Sequence, residues 1–204
     1  MVGAVQKTYW AEKMGIDPSK IYTVAIMPCT AKKFESLRDE NMFSSGLRDV
    51  DLVLTTRELA RLIKQMGIDF LSLEEEEADN PISDYSGAGT IFGATGGVME
   101  AAIRTAYHVV TGKELKNIEV EAVRGLEEVK KGTVDIDGTP VRVVVIHGLS
   151  HAKEVMDELR AAKAKGERAP YEFIEVMACR GGCIAGGGQP YGATDVLREE
   201  RAGG

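Results

Sequence analysis

The residues of this 204-residue sequence that are best suited to chemistry are its three cysteines, Cys29, Cys179 and Cys183. Cys179 and Cys183 stand four residues apart in a glycine-rich stretch, residues 175–190. Glycine allows a backbone to turn tightly and to approach a bulky ligand closely. Thiolates are soft ligands that select iron–sulfur clusters, zinc or copper(I). The pattern therefore predicts a loop that wraps around a large inorganic group.

Several ligand sets remain open from the residues alone. Zinc sites usually add a second cysteine pair or histidines, but the histidines, His108, His147 and His151, are distant from the cysteines in sequence. A cubane [4Fe–4S] cluster takes four thiolates, one more than this chain contains. A non-cysteine ligand or another polypeptide would complete that set, or one iron would stay open. Alternatively, each cysteine is simply a small buried residue.

Charged and sulfur-containing side chains flank the cysteines. Lys32 and Lys33 follow the first cysteine, where a cation that faces inward would neutralise an anionic ligand and one that faces outward would only be solvated. Glu35 would pair with Lys32 if this segment is helical. Met27 and Met177 each precede a cysteine by two residues. Such methionines suit a dry pocket around a metal, although filling of the core explains them equally well.

The composition excludes several classes of protein. The net charge of −7 argues against a general nucleic-acid or anionic-membrane binder. No apolar run approaches the roughly 18–20 residues of a membrane span. The first ten residues lack a basic start followed by an apolar stretch, so no secretory signal is expected. These features predict a cytoplasmic protein, and the odd number of cysteines does not suggest a disulfide framework.

Strands and helices alternate along the sequence. Apolar runs predict strands over residues 21–27, 50–54, 118–123 and 173–177, of which 21–27 and 173–177 are expected to be buried. They also predict a hairpin over 133–146 that turns at Asp137–Gly138. Helical spacing and capping residues predict helices over residues 2–14, 56–66, 98–110, 150–165 and 193–200, the second of which begins with a capping box at Thr55–Glu58. The fold class is therefore α/β, with mostly parallel sheets covered by helices. The first two cysteines follow predicted strands, at the strand ends where such sheets bind ligands.

Three further features carry weaker expectations. Residues 80–97 are predicted to form a glycine-rich loop that leads into a helix, an arrangement that can bind phosphate. Neither the dinucleotide nor the Walker pattern is present, so a nucleotide site is not predicted. The acidic run at residues 74–77 is expected to be solvated. In the first helix, Val5, Tyr9 and Trp10 are expected to share one face.

Three stretches resemble the catalytic domain of [FeFe]-hydrogenases. They are Met-Pro-Cys-Thr-Ala-Lys-Lys-Phe-Glu at residues 27–35, Phe-Gly-Ala-Thr-Gly-Gly-Val-Met-Glu at 92–100, and Glu-Val-Met-Ala-Cys-Arg-Gly-Gly-Cys-Ile-Ala-Gly-Gly-Gly-Gln-Pro at 175–190. Their order and spacing agree with the family. The resemblance covers essentially the whole chain.

The resemblance implies an H-cluster, which is a [4Fe–4S] cubane joined to a two-iron unit that carries CO, cyanide and a bridging dithiolate. Cys29 and Cys179 would be cubane ligands, and Cys183 would be the thiolate that bridges the cubane and the two-iron unit. The implied activity is the reversible interconversion of protons and electrons with dihydrogen. Among the residues of this chain, Lys32 and Cys183 are expected to be catalytic.

The resemblance also implies a pocket for the two-iron unit. Lys32 would donate a hydrogen bond to a cyanide on the distal iron. Met27, Phe92 and Met177 would pack around the two irons. A cation for an anionic ligand and thioethers for a dry wall agree with the interpretation from the residues alone.

The sequence departs from the family in lacking its first motif, Thr-Ser-Cys-Cys-Pro, which carries the fourth cubane ligand and a cysteine that relays protons. Residues 1–204 are therefore expected to be a partial H-cluster domain with two lobes and a metal site at strand C-terminal ends between them. A complementary chain with the first motif, and an electron donor such as ferredoxin acting through other domains, are the implied partners. The chain alone is expected to show little hydrogen evolution.

Two other functions remain as alternatives. The chain could be a non-catalytic iron–sulfur module of the assembly or sensory kind, or a folded fragment without metal. The complete stretch at residues 93–100 and the presence of Lys32 favour the hydrogenase.

Overall fold

The structure, a computed structural model, describes residues 1–38, 40–79, 81–82, 86–115, 128–192 and 194–203. The chain divides into two compact units. Unit 1 comprises Met1–Tyr85 and Gly186–Gly192, and unit 2 comprises Ser86–Ala185 and Ala193–Gly204. Among the described residues, no helix combines the length and the apolar character needed to cross a membrane.

Unit 1 contains a small parallel sheet flanked by helices. Its elements in chain order are α1 (Val2–Val5), a π-helical turn (Gln6–Trp10), α2 (Ala11–Met14), a 3₁₀ turn (Pro18–Lys20), β1 (Val24–Met27), α3 (Ala31–Glu35), β2 (Leu52–Thr55), α4 (Thr56–Gln65) and a second 3₁₀ turn (Phe70–Ser72). Strands β1 and β2 run parallel, with Val24 opposite Leu52 and Met27 opposite Thr55. The parallel pairing places the first cysteine just beyond the carboxyl end of a strand, as the sequence predicts.

The N-terminal helical stretch buries two small residues and a lysine. Its buried residues are Gly3, Lys7 and Ala11, whereas Val5 is 39% and Tyr9 58% exposed. The Nζ atom of Lys7 lies 2.6 Å from a carboxylate oxygen of Asp51 and 2.6 Å from the carbonyl oxygen of Arg48, so its charge is fully partnered although the side chain is 2% exposed. The apolar residues therefore do not mark the buried face of this helix, because a buried ion pair sets its orientation.

The start of α4 confirms the predicted capping box. The hydroxyl of Thr55 accepts a hydrogen bond from the Glu58 backbone N–H, and the Glu58 carboxylate accepts one from the Thr55 N–H. The ammonium of Lys33 lies 2.8 Å from the same carboxylate and holds the pKa of Glu58 at about 2. It also donates to the Val53 carbonyl at 2.8 Å. Lys33 therefore links α3 to β2 and to the first turn of α4.

Unit 2 is built on a mixed three-stranded sheet. Its elements are α5 (Gly87–Ile91), α6 (Gly97–Thr111), β3 (Val129–Ile136), β4 (Thr139–His147), α7 (Leu149–Lys165), β5 (Phe173–Met177), a 3₁₀ turn (Cys183–Ala185) and α8 (Asp195–Gly203). The strand order is β3-β4-β5, with β3 antiparallel and β5 parallel to β4. The predicted hairpin is confirmed, and both turn residues, Asp137 and Gly138, have positive φ.

The core of unit 2 lies on both faces of the central strand β4. Val143 and Val145 pack with Met99 and Ile103 of α6 on one face. On the other face, Val144 and Ile146 pack with Val155 of α7. A strand that is apolar at consecutive positions is therefore covered by a helix on each side, which is the arrangement that the uniform apolar run predicts.

Some elements differ from their predictions. Strands β1 and β5 were expected to be buried, but Val24 and Ile26 of β1 are 44% and 42% exposed, and Phe173 and Val176 of β5 are 37% and 43% exposed. In β5, Glu175 is buried. The expected loop over residues 80–97 contains the short helix α5. The acidic run at residues 74–77 is exposed, as predicted. The strand predicted over residues 118–123 lies outside the described residues.

Candidate functional site

The first cysteine lies in a turn of unit 1 that follows β1. Pro28 ends the strand, Cys29 is half-buried, and α3 begins two residues later. The Gly188 N–H donates to the Pro28 carbonyl at 2.8 Å. A Cβ on Gly188 would lie 2.7 Å from the Cys29 backbone nitrogen, so only glycine permits this approach. The segment Gly186–Gly192, which follows the last cysteine in sequence, is therefore docked against the turn that carries Cys29.

The two lysines beside this turn have different partners. Lys32 forms an ion pair with Glu35 three residues on, and the short helix α3 confirms the predicted condition for that pair. Lys33 instead binds Glu58 and the Val53 carbonyl. An ammonium has three N–H donors, and Glu35 accepts one of those of Lys32.

The other two cysteines share one loop of unit 2. The Gly182 N–H donates to the Cys179 carbonyl at 3.0 Å, which closes a tight turn between the cysteines. Gly181 and Gly182 have φ values of 85° and 92°, which other residues rarely adopt. Cys179 is half-buried, and Cys183, which opens the 3₁₀ turn, is exposed.

This cysteine loop is docked on the second resembling stretch, residues 92–100. The Thr95 N–H donates to the Gly181 carbonyl at 3.2 Å, and the Ile184 N–H donates to the Gly93 carbonyl at 3.0 Å. A Cβ on Gly182 would lie 2.7 Å from the Gly93 oxygen. The glycines of the loop therefore serve close backbone packing within the protein, in addition to any approach to a ligand.

A buried histidine forms a hydrogen bond with the same loop. His147, at the end of β4, is 1% exposed. Its Nδ1 atom accepts a hydrogen bond from the Gly181 N–H at 3.2 Å and lies 3.4 Å from the Thr95 hydroxyl. The sequence did not predict His147 to be a ligand. In the structure, its ring contacts the backbone of the turn between the two cysteines.

A buried carboxylate joins strand β5 to helix α6. Glu175 is 6% exposed, and its two carboxylate oxygens accept hydrogen bonds from the N–H groups of Gly96 and Met99, each at 2.7 Å. The carboxylate thus occupies the position at the N-terminus of α6 where a bound anion would lie.

The three cysteine thiols are chemically suited to bind an iron–sulfur group. None of the three cysteines forms a disulfide, and none is fully buried. Over the ranges that the structure describes, no three His, Cys, Asp or Glu side chains are grouped so as to hold a metal ion. The expected pocket residues Met27 and Met177 are half-buried at strand ends, and Phe92 is 44% exposed.

Sequence reasoning missed three residues that shape this region. Glu175 could have been suspected as the one charge in an apolar strand, and His147 as a polar residue that ends a buried strand. Arg57, which contacts the Gly186–Gly192 segment, follows the capping Thr55 by two residues, and nothing in the sequence pattern distinguishes it from a solvated arginine.

Known proteins resemble the chain over nearly all of its length. Residues 1–187 match the family described as iron only hydrogenase large subunit, C-terminal domain. The periplasmic [Fe] hydrogenase large subunit of Nitratidesulfovibrio vulgaris is 54% identical over 190 residues, which are 93% of this chain and 44% of that protein. The cytosolic iron-sulfur assembly component 3 of Mus musculus is 31% identical over 195 residues, 93% of this chain and 40% of that protein.

A solved structure agrees with the fold. The apo [FeFe]-hydrogenase HydA1 from Chlamydomonas reinhardtii superimposes with a TM-score of 0.76 at 36% identity, over 99% of this chain and 56% of that one. The chain thus spans about half of the solved structure and less than half of the two relatives. Together with the match over residues 1–187, these similarities show that the chain belongs to the family of the C-terminal domain of the iron-only hydrogenase large subunit.

Proposed function

We propose that this chain forms part of an [FeFe]-hydrogenase that interconverts protons and electrons with dihydrogen at an H-cluster. The observation that carries the proposal is the docking of the resembling stretches. Residues 92–100 hold the Cys179–Cys183 loop in unit 2, and the segment Gly186–Gly192 holds the Cys29 turn in unit 1. The fold therefore shapes the backbone around each cysteine that we propose as a metal ligand.

Cys29 and Cys179 are the proposed thiolate ligands of the cubane, and Cys183 is the proposed bridging thiolate. When bound, the H-cluster would supply the redox-active iron at which protons and electrons combine. Cysteines outside any disulfide, on glycine-rich turns, support this assignment, because thiolates are the usual ligands of iron–sulfur clusters and close backbone approach leaves space for a large group. The fourth cubane ligand is not assigned to any residue of this chain.

The remaining proposed roles belong to the pocket of the two-iron unit. Lys32 would donate a hydrogen bond to a cyanide, and its pair with Glu35 orients the ammonium while leaving further N–H donors. Met27, Phe92 and Met177 would exclude water, since their side chains offer no strong hydrogen-bond partner. Electron donors such as ferredoxin, and a polypeptide that supplies the missing motif, are the proposed partners.

A second function is favoured by one specific finding, the similarity to the mouse iron–sulfur assembly component. In that case the chain would hold a cubane without a two-iron unit. The higher identity to the bacterial hydrogenase, 54% against 31%, favours the catalytic branch. The cytoplasmic location stays a prediction, and the bacterial relative is periplasmic by name.

The ligand assignment can be tested by iron and sulfide analysis. After anaerobic reconstitution, the chain is expected to bind about four iron atoms. Cys29→Ser and Cys179→Ser should each remove most of that iron, because a serine hydroxyl is a much poorer ligand for the cubane. Met177→Leu, which keeps an apolar side chain at a proposed pocket position, should retain it. Full iron content in both cysteine variants would contradict the assignment.

A further inference from the structure

One arginine of unit 1 contacts the Gly186–Gly192 segment, which follows the last cysteine in sequence. Arg57 is the second residue of α4. Its backbone N–H donates to the Gly188 carbonyl at 3.2 Å, and its guanidinium donates to the Gln189 carbonyl. The same guanidinium lies over the ring of Tyr191, with its central carbon 4.3 Å from the ring centroid. A single residue therefore contacts three residues of the Gly186–Gly192 segment.

The opposite side of this segment faces the first cysteine turn. Gly188 donates its N–H to Pro28, and no Cβ would fit between Gly188 and the Cys29 backbone. The segment is consequently held between Arg57 and the turn that carries Cys29. Loss of the guanidinium contacts would leave it attached mainly by backbone hydrogen bonds.

The contacts of Arg57 use properties specific to arginine. A guanidinium is a planar fork of donors that can donate in its plane while an aromatic ring stacks on its face. A lysine ammonium is a compact point charge on a flexible stem, so it cannot reproduce both contacts in one fixed geometry. The backbone N–H of residue 57 is retained in any non-proline variant.

We propose that Arg57 is a positioning residue that fixes the backbone following Cys183 against the backbone that carries Cys29. It touches no proposed ligand, and it acts through Gly188 and Gln189. The proposal deepens the proposed function, because its consequence for a cluster rests on Cys29 being a ligand. The contacts of Arg57 described above lie within unit 1, so its positioning role can be tested in the metal-free chain.

The test compares cysteine alkylation and amide exchange in the apo chain. Arg57→Ala is expected to raise the exchange rate of the Gly188 amide about tenfold, which corresponds to about 1.4 kcal/mol. The alkylation rate of Cys29 by N-ethylmaleimide should rise severalfold, and that of Cys179, which lies in unit 2, should not change. Arg57→Lys should give an intermediate effect, and Arg61→Ala, an exposed arginine of the same helix, should match the wild type.

Tyr191→Ala provides an independent variant if Arg57→Ala does not fold, since it removes the stacking partner from an exposed position. It should produce a smaller rise at the same two sites. Unchanged Gly188 exchange and Cys29 alkylation in the folded variants, or equal increases at Cys29 and Cys179, would overturn the positioning role. Absence of iron from the reconstituted wild type would instead count against the proposed function, whereas the exchange and alkylation rates alone decide the role of Arg57.

Discussion

Replacement of Glu175 by alanine is expected to lower the free energy of unfolding by about 3–5 kcal/mol. The carboxylate is 6% exposed and accepts hydrogen bonds from two buried N–H groups at 2.7 Å. Its removal leaves both donors without a partner, and each such donor costs about 1–3 kcal/mol. It also removes a negative charge from the N-terminus of α6, where the helix dipole stabilises one. Chemical denaturation at neutral pH would measure the change.

Two matched variants distinguish this effect from a general sensitivity of unit 2. Glu175→Gln keeps one oxygen acceptor and the shape of the side chain, so its cost should be intermediate. Glu154→Ala, on an exposed position of α7, should change the free energy of unfolding by less than about 0.5 kcal/mol. If Glu175→Ala lowered the free energy of unfolding no more than Glu154→Ala does, the conclusion that Glu175 caps the N-terminus of α6 would be wrong.

Replacement of Gly182 by alanine is expected to cost about 2–5 kcal/mol and to displace the loop between Cys179 and Cys183. The φ value of 92° is unfavourable for any residue with a Cβ. In addition, the new methyl group would lie 2.7 Å from the Gly93 oxygen and 2.8 Å from the Thr95 nitrogen. The loop must move to relieve these contacts, so amide exchange at Gly181 should increase together with the loss of stability.

Gly192→Ala separates the backbone strain from the steric clash. Gly192 has a similar φ of 85°, but nothing lies within 4 Å of the position where its Cβ would stand. Its substitution should therefore cost only the left-handed strain, about 1–2 kcal/mol. Equal effects of the two substitutions on stability would show that the Gly182 turn is not packed on Gly93 and Thr95.

Features set by neighbouring residues were predictable from the sequence. The Thr55–Glu58 capping box, the turn at Asp137–Gly138 and the end of α6 at Gly112 each depend on a few adjacent positions. The burial of β4 also followed from its composition, because Val143–Ile146 are apolar at four consecutive positions, as is typical of a strand covered on both faces. The cysteines were found from their own chemistry and spacing.

The features that the sequence did not reveal depend on partners far away in sequence. Lys7 determines the buried face of the first helix through Asp51, 44 residues later, and Glu175 is buried because of N–H groups 76 and 79 residues earlier. The spacing of apolar residues does not encode contacts between residues so far apart. The apolar residues of the first helix therefore did not indicate its buried face, and the apolar run around Glu175 did not indicate the role of that carboxylate. Arg57, whose partner Gln189 is 132 residues away, was invisible for the same reason.

The infrared spectrum of the reconstituted chain tests the proposed hydrogenase function most directly. The chain would first receive iron and sulfide without oxygen, then a synthetic two-iron complex that carries CO and cyanide, and would be desalted before measurement. We predict bands of metal-bound CO and cyanide that remain with the protein and are lost in Cys183→Ser. A chain that holds a cubane but retains no CO or cyanide band would contradict the hydrogenase assignment and favour an iron–sulfur module without a two-iron unit.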